Sequence, residues 1–398
     1  MKGFIFFLAS LFTILSCFGQ NSSLEVNPKF KKSIQNLAKE IKSLDSEGFS
    51  DLLFLKDVIS NDKQYVFIGE SSHEVAEFNI LRTRLINFLH EQMGFNIIAI
   101  EEDMGVATFL NFQKEKPLSV DSLVQYIDVY FGCEEMRELI CYLRKTNIKT
   151  TGFDVQLANA SLFLPAVRNF FVLPDSIYIY DSLFCTDYKK TIPINVLSQK
   201  WKDAIKDIPV KDTISPYAKN MYKSIQIRAD WMARIPKISS AIRDSLMAAN
   251  FLWLINHIYP NEKIIILAHN EHIAKSHSAF KDGRKYNGNM GQYLQEWIGE
   301  KSYVLGTYAY QGQTGNYGPL CTIVANRRNS LGAIFNSTGY EISFCDFLSQ
   351  KKSAENKWMF KKIKTVSYCF QRYKMIPAKR YDGIIMIKNV HKSNRIKN

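Results

Sequence analysis

The chain has 398 residues, 46% of them hydrophobic, and carries 51 Lys and Arg against 38 Asp and Glu, a formal charge of +13. That length supports a large buried core without help from disulfides or metals. The basic excess is spread along the chain and nowhere forms a dense block interleaved with aromatics. The balance therefore argues for a solvated basic surface and against a nucleic-acid binder.

The first element is an expected export signal over residues 1–20. Lys2 precedes an uncharged run at 3–19 that is too short for an ordinary membrane-spanning helix. Cleavage is expected near Gln20, although Ile14-Leu15-Ser16-Cys17 also resembles a lipobox. A membrane attachment follows only if Cys17 is lipidated. Either way the mature chain is expected to be periplasmic or extracellular. The remaining cysteines are Cys133, Cys141, Cys185, Cys321, Cys345 and Cys369, with no CxxC pair among them. Export permits disulfides, but for a chain of this size buried free thiols are the expectation.

A polar lead-in with a helix around 34–44 precedes the central unit, residues 64–103. There the apolar run Tyr65-Val66-Phe67-Ile68-Gly69 reads as a buried strand. Glu70, Ser71, Ser72 and His73 follow, and then a helix with Phe78, Leu81, Leu85, Phe88 and Leu89 on one face, capped by Gly94. A second strand at 96–100 runs into Glu101-Glu102-Asp103. Residues 102–146 read as largely helical, and a third strand at 149–153 ends in Asp154. Residues 158–260, punctuated by prolines, read as a helical insertion that ends in a long helix carrying Arg243, Met247 and Asn250 on one face. A fourth strand, KIIILA, ends in His269-Asn270-Glu271-His272. Then come an Asn/Gly loop, a helix from Met290, a fifth strand at 303–307, a loop at 311–318 and a closing strand at 383–388. The tail 391–398 is expected to fray.

This alternation predicts an α/β fold: a central, mainly parallel sheet flanked by helices, with a helical insertion covering the strand C-terminal edge. In such sheets ligands bind where strands end. Four strands here end in ionisable groups: Glu70 with His73, Glu101, Asp154, and His269 with His272. If the strands are parallel neighbours, these groups line one cleft. An imidazole titrates near neutrality and can take a proton from water, with Glu70 or Glu101 steadying the cation. Arg82, on the helix, could pair with those acids. GESSHE is not a GxSxG elbow, so water outranks Ser71 or Ser72 as nucleophile. The same acids and imidazoles could hold zinc or iron, but no HExxH helix is present.

GESSHEVAEF, LRTRLINFL, FNIIAIEED, GFDVQ, RDSLMAAN, LAHNEH, Met290-Gly291 and YDGIIMI occur in an order similar to that of the erythromycin esterase family. The resemblance covers roughly residues 60–390. It implies a metal-independent esterase without a cofactor, acting on a small-molecule ester or lactone such as a macrolide. By motif position His73 would be the general base, with Glu70, Glu101, Arg82, His269 and His272 around it. Glu77, Asp154, Arg243, Asn250 and Met290 would bind substrate. Glu74 departs from the pattern, where a glycine usually follows the histidine. The alternative is a metal- or haem-binding exported protein that uses the same His/Glu cluster without turnover.

Overall fold

A computed structural model describes residues 26–46, 48–127, 132–156, 160–187, 193–206, 208, 215–234, 239–276, 279–280, 288–315, 320–324 and 328–396. The expected export signal at 1–20 lies outside these residues. Among the described residues no helix is long and apolar enough to cross a membrane.

Twelve strands are described. β1 (Lys39–Glu40), β2 (Tyr65–Glu70), β3 (Ile97–Asp103), β4 (Lys149–Asp154), β5 (Ile264–His269), β7 (Ser302–Thr314), β8 (Cys321–Ile323), β9 (Ile342–Asp346) and β12 (Gly383–Val390) build the main sheet. β6 (Ala279–Phe280), β10 (Ile363–Ser367) and β11 (Gln371–Met375) form a second, three-stranded sheet. The main sheet runs β1-β9-β12-β7-β2-β5-β3-β4, with β8 paired to β7. From β12 to β4 every neighbouring pair is parallel, whereas β1, β8 and β9 pair antiparallel. Tyr65, Val66, Phe67 and Ile68 are all buried, as are Ile264, Ile265, Ile266 and Leu267. Continuous burial of this kind is what a parallel sheet covered on both faces requires.

The connection from β2 to β3 skips one position, and β5 later fills it. The consequence is local: the C-terminal ends of β2, β5, β3 and β4 lie side by side. Glu70 pairs in register with His269. The crossover helix between β2 and β3, Ala76–Met93, buries Phe78, Leu81, Leu85, Phe88 and Leu89. It ends at Gly94, where φ is +75° and the amide returns to His90 O. A residue without Cβ adopts that conformation at least cost.

The insertion supplies helices Ala160–Arg168, Asp175–Asp187, Ile194–Ile205, Pro216–Arg234 and Ser240–His257. Helix Pro216–Arg234 packs on helix Met104–Gln113 and reaches the strand edge where Ser224 Oγ bonds Asp103 Oδ1 at 3.0 Å. Helix Ser240–His257 returns to the sheet, lies on β4 and leads directly into β5.

Several local expectations change. The first helix is Pro28–Leu37 rather than 34–44, because Asn27 caps it and Lys39–Glu40 then pairs with β9. The fifth strand extends to Thr314, through part of the expected loop, because β12 continues alongside it to Val390 and β8 covers its end. Cys321 and Cys369 are joined in a disulfide with Cα atoms 5.9 Å apart, not free as expected. Cys141 and Cys345 are free thiols, and the Cys133 sulfur accepts a hydrogen bond from Asn79 Nδ2 at 3.1 Å. Residues 391–396 do not fray. Ser393 N–H donates to Glu74 O, Ile396 N–H donates to Gly132 O, and Arg395 pairs with the Glu74 carboxylate. These bonds satisfy backbone groups that a free tail would leave to water.

Candidate active site

At the C-terminal end of β2 the chain turns sharply into the crossover helix, and this turn presents Glu70 and His73. His73 Nδ1 lies 2.7 Å from Glu70 Oε1, and Arg82 Nη2 donates to Glu70 Oε2 at 3.0 Å. Burial alone would raise the Glu70 carboxyl, but the Arg82 guanidinium and the His73 ring beside it hold it at about 2. Glu70 is therefore a carboxylate throughout the neutral range, and one of its oxygens orients the imidazole. The turn itself is tight. Glu74 has φ +52°, the left-handed region where a glycine fits without strain. Its buried carboxylate is tied to Arg395, which helps hold a non-glycine residue there.

A second group gathers on β3. Glu101 Oε1 accepts from Arg243 Nη2 at 2.8 Å and lies 3.3 Å from His272 Nε2, while Glu101 Oε2 accepts the His269 amide at 2.8 Å. Arg243 also grips Asp154, with Nε at 3.0 Å from Oδ1 and Nη2 at 2.5 Å from Oδ2. His272 Nδ1 lies 2.8 Å from Asp244 Oδ1, which also accepts the Met290 amide at 2.8 Å. Burial disfavours the His272 imidazolium, yet the Glu101 and Asp244 carboxylates, one at each ring nitrogen, push its pKa up to about 10. Arg243 Nη1, 3.2 Å from Nε2, opposes that shift without reversing it. Glu101 in turn is held well below the usual carboxylate range: His272, Arg243 and the His269 amide outweigh its burial.

His269 stands between the two groups. Its Nδ1 accepts the Glu271 amide at 3.1 Å, capping the short helix Asn270–Ile273. The bond leaves the proton of the neutral ring on Nε2, which is buried and has no hydrogen-bond partner among the described residues. Burial, and next the neighbouring His73, push the His269 pKa down to about 3. The His73 and His269 ring centres are 5.1 Å apart, and those of His269 and His272 are 6.3 Å apart. At neutral pH the site thus holds a neutral imidazole, an imidazolium and two ionised glutamates within one shell.

A recess of about 80 Å³ opens here, lined by Glu70, His73, Arg82, Glu101, Asp154 and Arg243, with Ile100, Ile127, Met136 and Leu267 as its apolar wall. Three of the expected substrate-binding residues lie elsewhere. Glu77 accepts the His391 amide at 2.7 Å and holds the tail. Asn250 is buried and donates to Phe153 O at 3.0 Å, fixing β4. The Met290 side chain is fully buried, and only its amide serves the site, through Asp244. Asp244 itself was not singled out from sequence, although it follows Arg243 directly in RDSLMAAN. Tyr368, stacked on His269 with centres 4.6 Å apart and planes 9° from parallel, gave no sequence signal. Ser72 Oγ bonds Thr314 Oγ1 at 3.0 Å and is fully buried. Among the described residues no three His, Cys, Asp or Glu side chains converge as metal ligands.

Comparison with known proteins agrees with this architecture. A protein of Bacillus subtilis named "Putative hydrolase YbfO" is 27% identical over 411 aligned residues, covering 91% of this chain and 92% of that one. Erythromycin esterase type II of Escherichia coli is 26% identical over 312, covering 67% and 74%. A solved mutant of the erythromycin esterase EreC in its open conformation superposes with a TM-score of 0.65 at 18% identity, over 91% of this chain and all of that one. The family model described as erythromycin esterase matches residues 214–390. The chain is similar to erythromycin esterases, with residues 214–390 matching the family model, and these likenesses support a hydrolase of the esterase type.

Proposed function

We propose that the protein hydrolyses a carboxylic ester by means of a water molecule that His73 activates, with macrolide lactones the first substrates to test. The observation that carries this reading is the Glu70 carboxylate, bonded at once to His73 Nδ1 and to Arg82 at the edge of the recess. With Nδ1–H committed to Glu70, Nε2 is the nitrogen that takes a proton from water. The imidazolium that forms is stabilised by the carboxylate on its other side. Water attacks the ester carbonyl, and charge grows on the carbonyl oxygen. His269 Nε2–H is the donor to that oxygen: it is a neutral N–H, buried and without another partner among the described residues, on the ring beside His73. Collapse of the tetrahedral species breaks the bond to the alcohol oxygen, which recovers the proton from His73. The carboxylic acid and the alcohol are the products.

The ionic group around Glu101 has a positioning role in this scheme. Glu101 Oε2 fixes the His269 backbone, and Glu101 Oε1 joins Arg243 and His272. The recess admits a reacting carbonyl and a few atoms around it, so most of a large substrate must rest outside it. The Cys321–Cys369 disulfide supports an exported protein, since such bonds persist in oxidising compartments.

The test is a panel of macrolides and simple aryl esters offered to the wild type and to His73→Ala. Loss of a general base typically lowers the rate by roughly 10²–10⁴-fold, and kcat/KM should fall by that factor with the fold retained. Glu101→Gln should also lower activity, and the double variant should be little worse than His73→Ala alone. Near wild-type turnover by His73→Ala, or an acyl group trapped on Ser71 or Ser72, would falsify the mechanism.

A further inference from the structure

The second, small sheet makes one contact with the site that the motifs do not account for. Its β10–β11 hairpin turns at Tyr368, Cys369 and Phe370. Tyr368 adopts φ +53°, unusual for a bulky aromatic residue. Three ties hold it there. Its amide donates to Ser71 O at 2.6 Å. The preceding Ser367 Oγ donates to the same carbonyl at 2.9 Å. Cys369, next in the chain, is bonded to Cys321 on β8. Ser71 is the residue after Glu70, so the hairpin is attached to the very turn that presents His73. The Tyr368 ring then lies flat on His269 and has its centre 5.5 Å from that of His73, while Phe370 stacks on its outer face, with centres 6.1 Å apart and planes 16° from parallel.

We propose that Tyr368 is a positioning residue for the hydrolytic reaction, its ring clamping His269 against the turn that carries His73 so that the two imidazoles keep their spacing and His269 stays out of water. The inference rests on the proposed role of the two histidines. Two features distinguish the contact from ordinary packing. A strained backbone angle at a bulky residue persists only where its surroundings over-determine it, and here a disulfide and two hydrogen bonds do so. The ring also covers His269, whose buried Nε2–H has no hydrogen-bond partner among the described residues. The charged and titratable groups around His269 are His73 and Glu70 from the β2 turn, Glu101 from β3, and Glu271 and His272 from its own short helix. Tyr368 lies nearly parallel to the His269 ring, whereas His73 and His272 are tilted to it by 50° and 76°.

Tyr368→Gly removes the ring while suiting the left-handed angle, and Tyr368→Phe keeps the ring. In the glycine variant kcat should fall about ten- to a hundredfold with little change in KM, as displaced catalytic groups lose rate rather than affinity. The phenylalanine variant should restore most of the rate. Independently of any substrate, proton NMR of the His269 ring should show it titrating at least about one pH unit higher in Tyr368→Gly than in wild type, once water reaches it. The two readouts separate the two ideas. If His73→Ala stays active, the hydrolytic reading fails, while the NMR shift still tests the clamp. If Tyr368→Gly leaves both kcat and the His269 titration unchanged, or if the phenylalanine variant is as impaired as the glycine variant, the clamp is refuted.

Discussion

Acidification should destabilise this protein through His269, and the size of the effect follows from its surroundings. In the folded chain the ring is neutral: burial disfavours the cation, which would also lie 5.1 Å, ring to ring, from His73. Its pKa is accordingly about 3, against 6.5 for an ordinary histidine. Between those values the unfolded chain binds one proton more than the folded chain, so stability falls as pH falls. Linkage sets the slope at about 1.4 kcal/mol per pH unit for one proton. Between pH 6.5, where the unfolded ring is half protonated, and pH 4.5 the loss is roughly 2 kcal/mol. Glu70, held at about 2 against the usual 4.5, adds its own loss mainly below that interval. His272, raised to about 10, stays protonated in the folded chain and offsets only about 0.4 kcal/mol, at the upper end where the unfolded ring is still partly neutral. The control is His269→Asn, whose short carbonyl can still accept the Glu271 amide as a helix cap while carrying no titratable ring. Urea unfolding followed by circular dichroism at pH 7, 6.5, 5.5 and 4.5 gives both slopes. The variant should be less stable by a constant amount at pH 7, from the space left under Tyr368, and should then lose less with acid. Parallel curves for the two proteins across this range would refute the reasoning.

Two further outcomes test the disulfide and the tail. Replacing Cys321 and Cys369 together by Ser opens a loop closed at a sequence separation of 48, and thermal unfolding should report a loss of roughly 2–4 kcal/mol by the loop-entropy rule. Glu74→Gly relieves the left-handed angle, a gain of about 1 kcal/mol, but removes the carboxylate that holds Arg395. Overall stability should change little, while hydrogen exchange of the Ser393 and Ile396 amides should accelerate, and unchanged protection there would show that the ion pair does not hold the tail.

The parts of the fold legible in the sequence are those governed by local pattern. Continuous apolar runs marked β2 and β5, helical spacing marked Ala76–Met93, and Gly94 marked its end. What no periodicity could show is the order of strands. That β5 inserts between β2 and β3 depends on which edges remain open once the first strands have paired, and this order is what seats Glu70 against His269. The extension of β7 to Thr314 and the antiparallel additions of β1 and β9 likewise depend on partners far along the chain. The tail looked free because its basic, polar composition gives no hint of the specific carbonyls and carboxylates that receive it.

The site divides along the same line. Glu70, His73, Arg82, Glu101, His269 and His272 occur in short strings next to strand ends, where the geometry of a parallel sheet by itself aims side chains at one edge. Arg243 could be noticed, yet its partners could not be assigned, because Glu101 lies 142 residues away and Asp154 lies 89. Asn250 shares a helix with Arg243 but turns to the Phe153 carbonyl instead, since an unpaired backbone group beneath the helix is costlier to leave than a gap in the site. Asp244 shows the converse. Its charge is invisible from outside, being wholly buried, but without it His272 would lose one of the two carboxylates that keep it an imidazolium against the cost of burial. The pairing of Glu70 with His73 and Arg82 can thus be read from neighbours within a dozen residues. The protonation states of His269 and His272 are set by groups that only the folded chain brings into contact.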